Sequence, residues 1–381
     1  MTRRLLFLVT EDWYFWSHRL PQARAARDAG FEVLVATRVN AHGKRIEQEG
    51  FRLISLPWSR EGGIAHQLAT VRVLTRLYRR ERPDIVHHVA LKSIAPGALA
   101  ARLAGVRASV NAITGFGYLG ASQTLKAKLV RAGVRTLLPP LTNRRNAWTL
   151  LQNEDDRALA LKLRLTSSRR AVLIRGSGID LGHFEALPEP VGPAGPVTVA
   201  LVSRMLRIKG IDTAVEAVRR LQRGGHDIRL LLAGGPDPAN PASFDEASLR
   251  RWAEEPGIEW LGPIADVRTV WRRAHIGLLA SRGGEGVPKS LLEAAACARP
   301  LVATDVPGCR DVVGPDGEAG LLVPANDPAA MADALLKLAK DATLRQRLGA
   351  AARQRAEALF GEAAIGRETV DLYERILRET A

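Results

Sequence analysis

Cysteine, aromatic residues and long apolar runs are all scarce in this chain of 381 residues. The two cysteines, Cys297 and Cys309, have no C-x-x-C or Cys/His spacing. That excludes a disulfide framework and a zinc motif, and it points to a reducing cytosol. The longest uncharged stretch, 108–125, is interrupted by polar residues and three glycines, so it is not a membrane span. The first apolar run stops at Thr10, which is typical of a buried strand rather than a signal peptide.

Acidic residues are scarce in the first half of the chain. Residues 1–181 hold 30 Lys and Arg against 13 Asp and Glu, a net charge of +17, whereas the remainder holds 25 against 27, a net charge of −2. This asymmetry predicts that one domain faces an anionic partner, unless it is a general surplus of arginine. The signatures of nucleic-acid binding are missing. An anionic lipid leaflet or a diphosphate-bearing acceptor is therefore favoured, and the basic segment 121–138 either lies on such a membrane or is a solvated helix face.

The length suits two domains, and strands alternate with helices throughout, which indicates parallel sheets covered on both faces. A segment rich in proline and glycine, 187–196, is the predicted linker, giving a first domain over 1–187 and a second from 188. The predicted strands are 5–9, 32–36, 85–87, 108–113, 197–202, 228–233, 258–261, 276–280, 301–304 and 321–323. The predicted helices are 17–29, 66–80, 93–103, 210–223, 328–340, 344–358 and 362–379.

The stretch 276–305 reads as a strand, a glycine-rich turn, a helix and a second strand. Pro288 suits the first turn of the helix, whose free N–H groups form a natural phosphate site. Two carboxylates flank that site, Glu285 in the turn and Glu293 two helical turns later. A carboxylate beside a phosphate site can hold hydroxyls, so the implied ligand carries both phosphate and sugar. The alternative is an ordinary turn with solvated glutamates.

Two cations, Arg204 and Lys209, lie between a predicted strand and a predicted helix. Together they can clamp a diphosphate, although such a pair in isolation is more often solvated surface. Gly234 and Gly235 follow the next strand and allow either a close ligand approach or a plain turn.

A G-x-G-x-x-G pattern begins at Gly115, directly after Thr114 and a predicted strand. A dinucleotide site would require an acidic residue about 20 positions later. The stretch 111–153 contains no Asp or Glu, so the dehydrogenase interpretation is rejected. Further along, 153–156 is predicted to be a helix N-cap rather than a metal site.

Four residues at the ends of early strands are candidates for the acceptor side. Trp13 and His18 follow the first strand, where they either stack on sugar rings or pack against the next helix. His87 and His88 end a later strand, where a histidine is catalytic less often than structural.

The two blocks 203–217 and 285–305 resemble family 4 retaining glycosyltransferases. The resemblance covers nearly the whole chain and is strongest from about Gly176 onward. It implies an α/β fold of the GT-B class, in which two doubly wound Rossmann-like domains face each other across a cleft. It also implies that a final helix, within 362–381, crosses back to the N-terminal, acceptor-binding domain, leaving 188–361 as the nucleotide-sugar-binding domain.

The same resemblance assigns site roles. Arg204 and Lys209 would neutralise the leaving nucleoside diphosphate, Glu285 would contact the donor sugar and Glu293 the ribose. The donor would also meet the amides around Gly286, Val287 and Pro288, the loop of Gly234 and Gly235, and the loop of Thr114 and Gly115. Many family members have a histidine where Thr114 stands, which puts histidine catalysis in doubt. Neither a metal nor another cofactor is expected.

The predicted activity is transfer of a hexose or N-acetylhexosamine from a nucleotide diphosphate sugar, expected to be a UDP-sugar, to a lipid-linked saccharide. The sequences of these motifs resemble those of enzymes of capsule, O-antigen and lipid-linked glycan synthesis, including N-acetylgalactosaminyltransferases with polyprenyl-diphosphate acceptors. The predicted location is the cytoplasm, at the inner face of the membrane, with no nucleic-acid partner. The alternatives are a GDP-mannose-type donor, a UDP-sugar epimerase of the same fold, or a non-catalytic binding protein.

Overall fold

The computed structural model describes residues 3–58, 64–116, 132–190 and 195–380. The chain forms two compact units, Met1–Gly178 together with Glu362–Ala381, and Ile179–Gly361. Most of the basic segment 121–138 lies outside the described residues.

The described part of the first unit contains a seven-stranded parallel sheet in the order β3-β2-β1-β4-β5-β6-β7. Its strands are β1 (Arg3–Glu11), β2 (Phe31–Arg38), β3 (Arg52–Ser55), β4 (Ile85–Val89), β5 (Ala108–Ile113), β6 (Ala147–Leu151) and β7 (Ala171–Leu173). Its helices are α1 (Asp12–His18), α2 (Leu20–Asp28), α3 (Gly43–Gln48), α4 (Ile64–Glu81), α5 (Leu91–Ala104), α6 (Pro139–Thr142), α7 (Glu154–Lys162) and, at the end of the chain, α15 (Glu362–Glu379).

Strand β1 shows why this sheet is covered on both faces. Its side chains alternate between two cores: Leu5 packs in a cluster with residues of α2 and α15, and Leu6 in a cluster with residues of α4 and α5. A strand buried on both faces has a continuous apolar sequence, as this one does. The return of α15 is part of the first core, where Tyr373 and Ile376 are fully buried.

The described part of the second unit contains a six-stranded parallel sheet in the order β10-β9-β8-β11-β12-β13. Its strands are β8 (Val197–Val202), β9 (Ile228–Ala233), β10 (Ile258–Gly262), β11 (Ile276–Leu279), β12 (Leu301–Thr304) and β13 (Gly320–Val323). Its helices are α8 (Ile211–Arg223), α9 (Glu246–Ala253), α10 (Arg268–Arg273), α11 (Lys289–Ala296), α12 (Pro307–Val313), α13 (Pro328–Lys340) and α14 (Ala342–Leu359). This sheet also separates two cores, with Val199 and Leu201 of β8 on one face and Ala200 on the other.

The division between the units lies at Gly178/Ile179 instead of at 187/188. Ile179 and Phe184 are buried in the core of the second unit, so the segment before the proline-rich stretch already belongs to that unit. Composition located the proline-rich stretch but carried no information about which core these apolar residues join.

Candidate active site

The strongest candidate site lies at the carboxyl ends of β8 and β11 in the second unit. From β8 the chain continues outward to β9 and β10, and then returns to the other side of β8 to form β11. The strand order therefore reverses between β8 and β11, and ligands of open α/β sheets bind at such a switch point. The loops that follow these two strands carry Lys209 and Glu285.

A close contact between these two loops brings the lysine to the carboxylate. A 3₁₀ turn, Arg207–Lys209, ends at Gly210, which has a φ of 68°. A Cβ on Gly210 would lie 2.0 Å from the carbonyl oxygen of Ala280, so only glycine allows the loop after β8 to approach the end of β11. This approach places Lys209 beside Glu285, although 76 residues separate them in sequence.

Lys209 and Glu285 form a two-pronged ion pair. The ammonium nitrogen lies 2.7 Å from Glu285 Oε1 and 2.9 Å from Oε2. The side chains are 19% and 12% exposed, so the pair reaches the surface but is mostly shielded from water. An ammonium has three N–H groups, of which the carboxylate takes two. Lys209 therefore keeps one donor for an anionic ligand while it still holds Glu285.

Ser281, which the sequence interpretation missed, fixes the position of Glu285. Its hydroxyl donates to Glu285 Oε1 at 2.8 Å, and its own carbonyl accepts a hydrogen bond from Thr304 Oγ1 at 2.5 Å. Ser281 is fully buried, so the hydroxyl has little freedom to turn elsewhere.

Ser281→Ala is expected to lower kcat by up to about tenfold, because loss of one hydrogen bond of about 1–1.5 kcal/mol lets Glu285 depart from its position. The rate is measured at saturating donor and compared with that of Ser281→Thr, which keeps the hydroxyl. An equal loss in both variants would show that the space around the side chain matters and the hydrogen bond does not.

Arg204 provides a second cation after β8. Its guanidinium donates to Asp237 Oδ2 at 2.9 Å, and its side chain is 48% exposed. Asp237 follows β9, so the pair joins neighbouring strand ends; sequence reasoning did not single out Asp237.

Gly234 is required by packing in the loop after β9, since its φ is 136° and a Cβ would lie 1.8 Å from the carbonyl oxygen of Ser203. Gly235 follows in the same loop.

Glu293 lies on α11 and is only 8% exposed, among apolar neighbours of the same helix. Burial raises the pKa of Glu293 to about 7, against the attraction of Lys289 one turn earlier. Gly286, Val287 and Pro288 form the turn from Glu285 to the start of α11, where Pro288 is the N-cap residue. The turn and the helix therefore present one carboxylate at the strand end and a second one deeper, within the helix.

The remaining predicted site residues belong to the first unit. Thr114 and Gly115 directly follow β5 and are half-buried, at the carboxyl end of a central strand. Trp13 and His18 lie on α1 and are also half-buried. The ring of His18 stacks on Tyr14 with 4.3 Å between ring centroids.

His87 and His88 lie inside the first unit, where both rings are fully buried. His87 Nδ1 is 2.6 Å from the Tyr373 hydroxyl, and His88 Nδ1 is 2.9 Å from Asn111 Oδ1. Burial lowers the pKa of His87 well below its usual value and that of His88 to about 4, so both rings are neutral. Neither imidazole reaches a surface that an acceptor could touch, which corrects their assignment as acceptor-side candidates.

The segment 153–156 forms the N-terminal cap and first turn of helix α7, as predicted. Asn153 precedes α7, and its side-chain oxygen accepts a hydrogen bond from the Asp156 amide at 2.7 Å. The acidic residues of the segment lie in the first turn of α7, where the helix dipole stabilises negative charge.

Two family models match the chain, one in each half. Residues 4–138 match a model described as Glycosyl transferase 4-like, and residues 196–341 match one described as Glycosyl transferases group 1. The second match contains Arg204, Lys209, Glu285 and Glu293.

Two relatives of the chain are named as glycosyltransferases. A protein of Escherichia coli K12 named for colanic acid biosynthesis, WcaL, is 30% identical over 217 residues, which are 55% of this chain and 52% of that protein. The chain thus spans about half the length of that relative. The N,N'-diacetylbacillosaminyl-diphospho-undecaprenol alpha-1,3-N-acetylgalactosaminyltransferase of Campylobacter jejuni is 25% identical, over 98% of this chain and 99% of its own length.

A solved structure shares the fold over the whole chain. Anabaena HepE, in complex with UDP and glucose, has a TM-score of 0.77 at 18% identity, covering 97% of this chain and 99% of that one. The predicted fold, two Rossmann-like domains of the GT-B class, is confirmed by this likeness and by the two parallel sheets.

Proposed function

Because the chain is a glycosyltransferase with a 4-like domain and a group 1 domain, we propose that it transfers a hexose or an N-acetylhexosamine from a UDP-sugar to a lipid-linked saccharide, with retention of anomeric configuration. The observation that carries the proposal is the Lys209–Glu285 pair at the switch point of the second sheet. A cation for phosphate and a carboxylate for hydroxyls stand side by side there, as a nucleotide sugar requires.

The chemistry would depend on the leaving group. The bond between the anomeric carbon and the diphosphate oxygen breaks, and the diphosphate leaves with the electron pair. The acceptor hydroxyl forms the new bond on the same face, and its proton passes to the departing diphosphate. Lys209 and Arg204 would stabilise the charge that develops on the diphosphate, which is the larger part of catalysis in such a site.

The carboxylates would orient the donor. Glu285, held by Lys209 and Ser281, would accept hydrogen bonds from the donor-sugar hydroxyls. Glu293, buried within α11, would accept hydrogen bonds from the ribose hydroxyls. Because the positive charges of Lys209 and Arg204 would already neutralise the diphosphate, we expect no requirement for a divalent metal.

The acceptor side of the proposal comes from charge and from relatives. The net charge of +17 over residues 1–181 suits a diphosphate-bearing lipid in an anionic leaflet. The Campylobacter relative is named for an undecaprenol-linked acceptor, and the Escherichia relative for colanic acid biosynthesis. Among the described residues, no helix combines the length and the hydropathy needed to cross a bilayer. We propose peripheral association with the inner face of the membrane.

A thermal-shift panel of nucleotides and nucleotide sugars, run with a metal chelator, tests the donor assignment. We expect a selective rise in Tm with UDP and one UDP-sugar, since a ligand present at 100 times its Kd stabilises by about 2.7 kcal/mol. Lys209→Met should make the rise with UDP smaller without abolishing it, because the ammonium group is lost while the other contacts to the nucleotide remain. A rise in Tm with GDP and GDP-mannose alone would indicate a GDP-sugar donor in place of a UDP-sugar. Conversion of the sugar without any acceptor would indicate an epimerase.

A further inference from the structure

Helix α4 presents a row of arginines on its exposed side. Arg72, Arg76 and Arg79 are exposed and follow one another at spacings of four and three residues, so they share one side of the helix. The row begins one turn earlier at Leu68, whose surface is 55% exposed.

The row continues onto the neighbouring helix α5. Arg79 donates to the carbonyl oxygen of Leu103 at 2.9 Å, which places the end of the row beside a second leucine that is 51% exposed. Arg102, adjacent to it, is also exposed. We refer to this surface as the α4–α5 face; it consists of Leu68, Arg72, Arg76, Arg79, Arg102 and Leu103.

Acidic residues that could neutralise this face are nearly absent from the surrounding sequence. Residues 62–153 contain 14 Lys and Arg but only two acids, Glu81 and Asp84. The Glu81 side chain is 3% exposed and pairs with Arg52 and Arg80. Asp84 accepts a hydrogen bond from the Arg4 amide at 2.8 Å. Both acids are thus engaged elsewhere.

The central arginines have their charge available. Within the part of the chain that the structure describes, neither Arg72 nor Arg76 has a carboxylate within ion-pair distance. Exposed arginines without a carboxylate partner, next to two half-exposed leucines, match a partner that is anionic and apolar at once.

We propose that the α4–α5 face docks on an anionic lipid bilayer. The arginines lie among the lipid phosphates, and Leu68 and Leu103 enter the boundary between head groups and acyl chains. A nucleic acid would meet the arginines equally well but offers nothing to the leucines. The inference depends on the proposed function only in that a lipid-linked acceptor is reached at a membrane.

Vesicle co-sedimentation of the full chain tests the proposal without donor or acceptor, so its failure is separate from failure of the proposed activity. The vesicles are phosphatidylcholine alone, or phosphatidylcholine and phosphatidylglycerol in equal parts. We expect binding only to the second kind, with a decline as salt is added. Each cation at the surface contributes about 1 kcal/mol, so R72Q/R76Q should weaken binding about 30-fold.

A matched control removes two exposed arginines from the second unit, R223Q/R251Q, and should change binding by less than about twofold. L68Q should weaken binding at high salt, where the apolar contact remains. Equal binding to both kinds of vesicle, or equal losses in the two double variants, would overturn the proposal. So would displacement of the vesicles by double-stranded DNA bound through Arg72 and Arg76, which would indicate a nucleic-acid partner.

Discussion

Replacement of Lys209 by methionine is expected to lower kcat about 100- to 1,000-fold, which is the usual effect of removing one preorganised donor that stabilises developing charge. Methionine keeps the unbranched apolar stem and removes only the ammonium group. Donor consumption and product formation are measured at saturating acceptor. The loss should fall mainly on kcat, because charge on the diphosphate is largest in the transition state.

Stability must be separated from catalysis in this variant. Without Lys209, the Glu285 carboxylate keeps Ser281 as its neighbour but loses two hydrogen bonds, at a cost of about 1–3 kcal/mol. Rates are therefore compared at a temperature where unfolding curves show both proteins folded. Arg220→Met is the matched control, since it removes a cation that is 48% exposed on α8. Its kcat should stay within about twofold of the wild-type value.

Arg204→Ala should show a loss of the same order as Lys209→Met if both cations face the diphosphate. Wild-type rates in both variants would rule out the diphosphate clamp. A loss in Lys209→Met alone would leave Arg204 with the role that its contact shows, an ion pair with Asp237 between two loops.

The strands that the structure describes in the second unit were all predicted from sequence, but the short helices α9, α10 and α12 were not. The strands 197–202, 228–233 and 301–304 were predicted with the bounds that the structure shows, because each is a short apolar run between helical patterns. Strand β3 was missed: its four residues carry exposed and half-buried side chains and lack an apolar run. Strand β7, with three residues, is too short to show a pattern.

The site was only partly predictable. The motif spacing identified Lys209, Glu285 and Glu293, but pairing of the first two depends on a contact between Gly210 and Ala280 that no local pattern encodes. Ser281 and Asp237 were missed because a serine or an aspartate after a strand is usual in any loop. His87 and His88 were misplaced because a strand end was inferred two residues too early, whereas β4 continues to Val89.

The buried carboxylate leads to a prediction about stability against pH. Folded Glu293 keeps its proton up to about pH 7, whereas a glutamate in an unfolded chain loses it near pH 4.3. Between these values the folded protein binds more protons, so its free energy of unfolding falls as pH rises from about 4.3 to 7, and this contribution is constant above that. The gap between the two pKa values corresponds to about 4 kcal/mol.

Glu293→Gln, which resembles the protonated acid, should therefore stabilise the free protein by up to about 4 kcal/mol at pH 8 and by almost nothing at pH 4.5. Urea unfolding at a series of pH values measures this, followed by two probes because the two units need not unfold together. Glu254→Gln, an exposed change in the same unit, should leave the pH dependence as it is. If the free energy of unfolding of Glu293→Gln varied with pH as it does in the wild-type protein, the Glu293 carboxylate would not be the origin of that variation.

The same substitution should weaken UDP binding about 10- to 100-fold at pH 8, since a hydrogen bond to a charged acceptor contributes about 1.5–3 kcal/mol. Ribose hydroxyls donate to the ionised form, so UDP should also bind the wild-type protein more weakly as pH falls below 7, with release of a proton on binding. Calorimetry in two buffers of different ionisation enthalpy measures both effects. A stabilised protein that still binds UDP with wild-type affinity would mean that Glu293 is buried for packing alone. A gain in stability together with a loss of UDP affinity would identify Glu293 as a site residue. Burial of its carboxylate is unfavourable in the free protein, and binding of the nucleotide requires that carboxylate at this position.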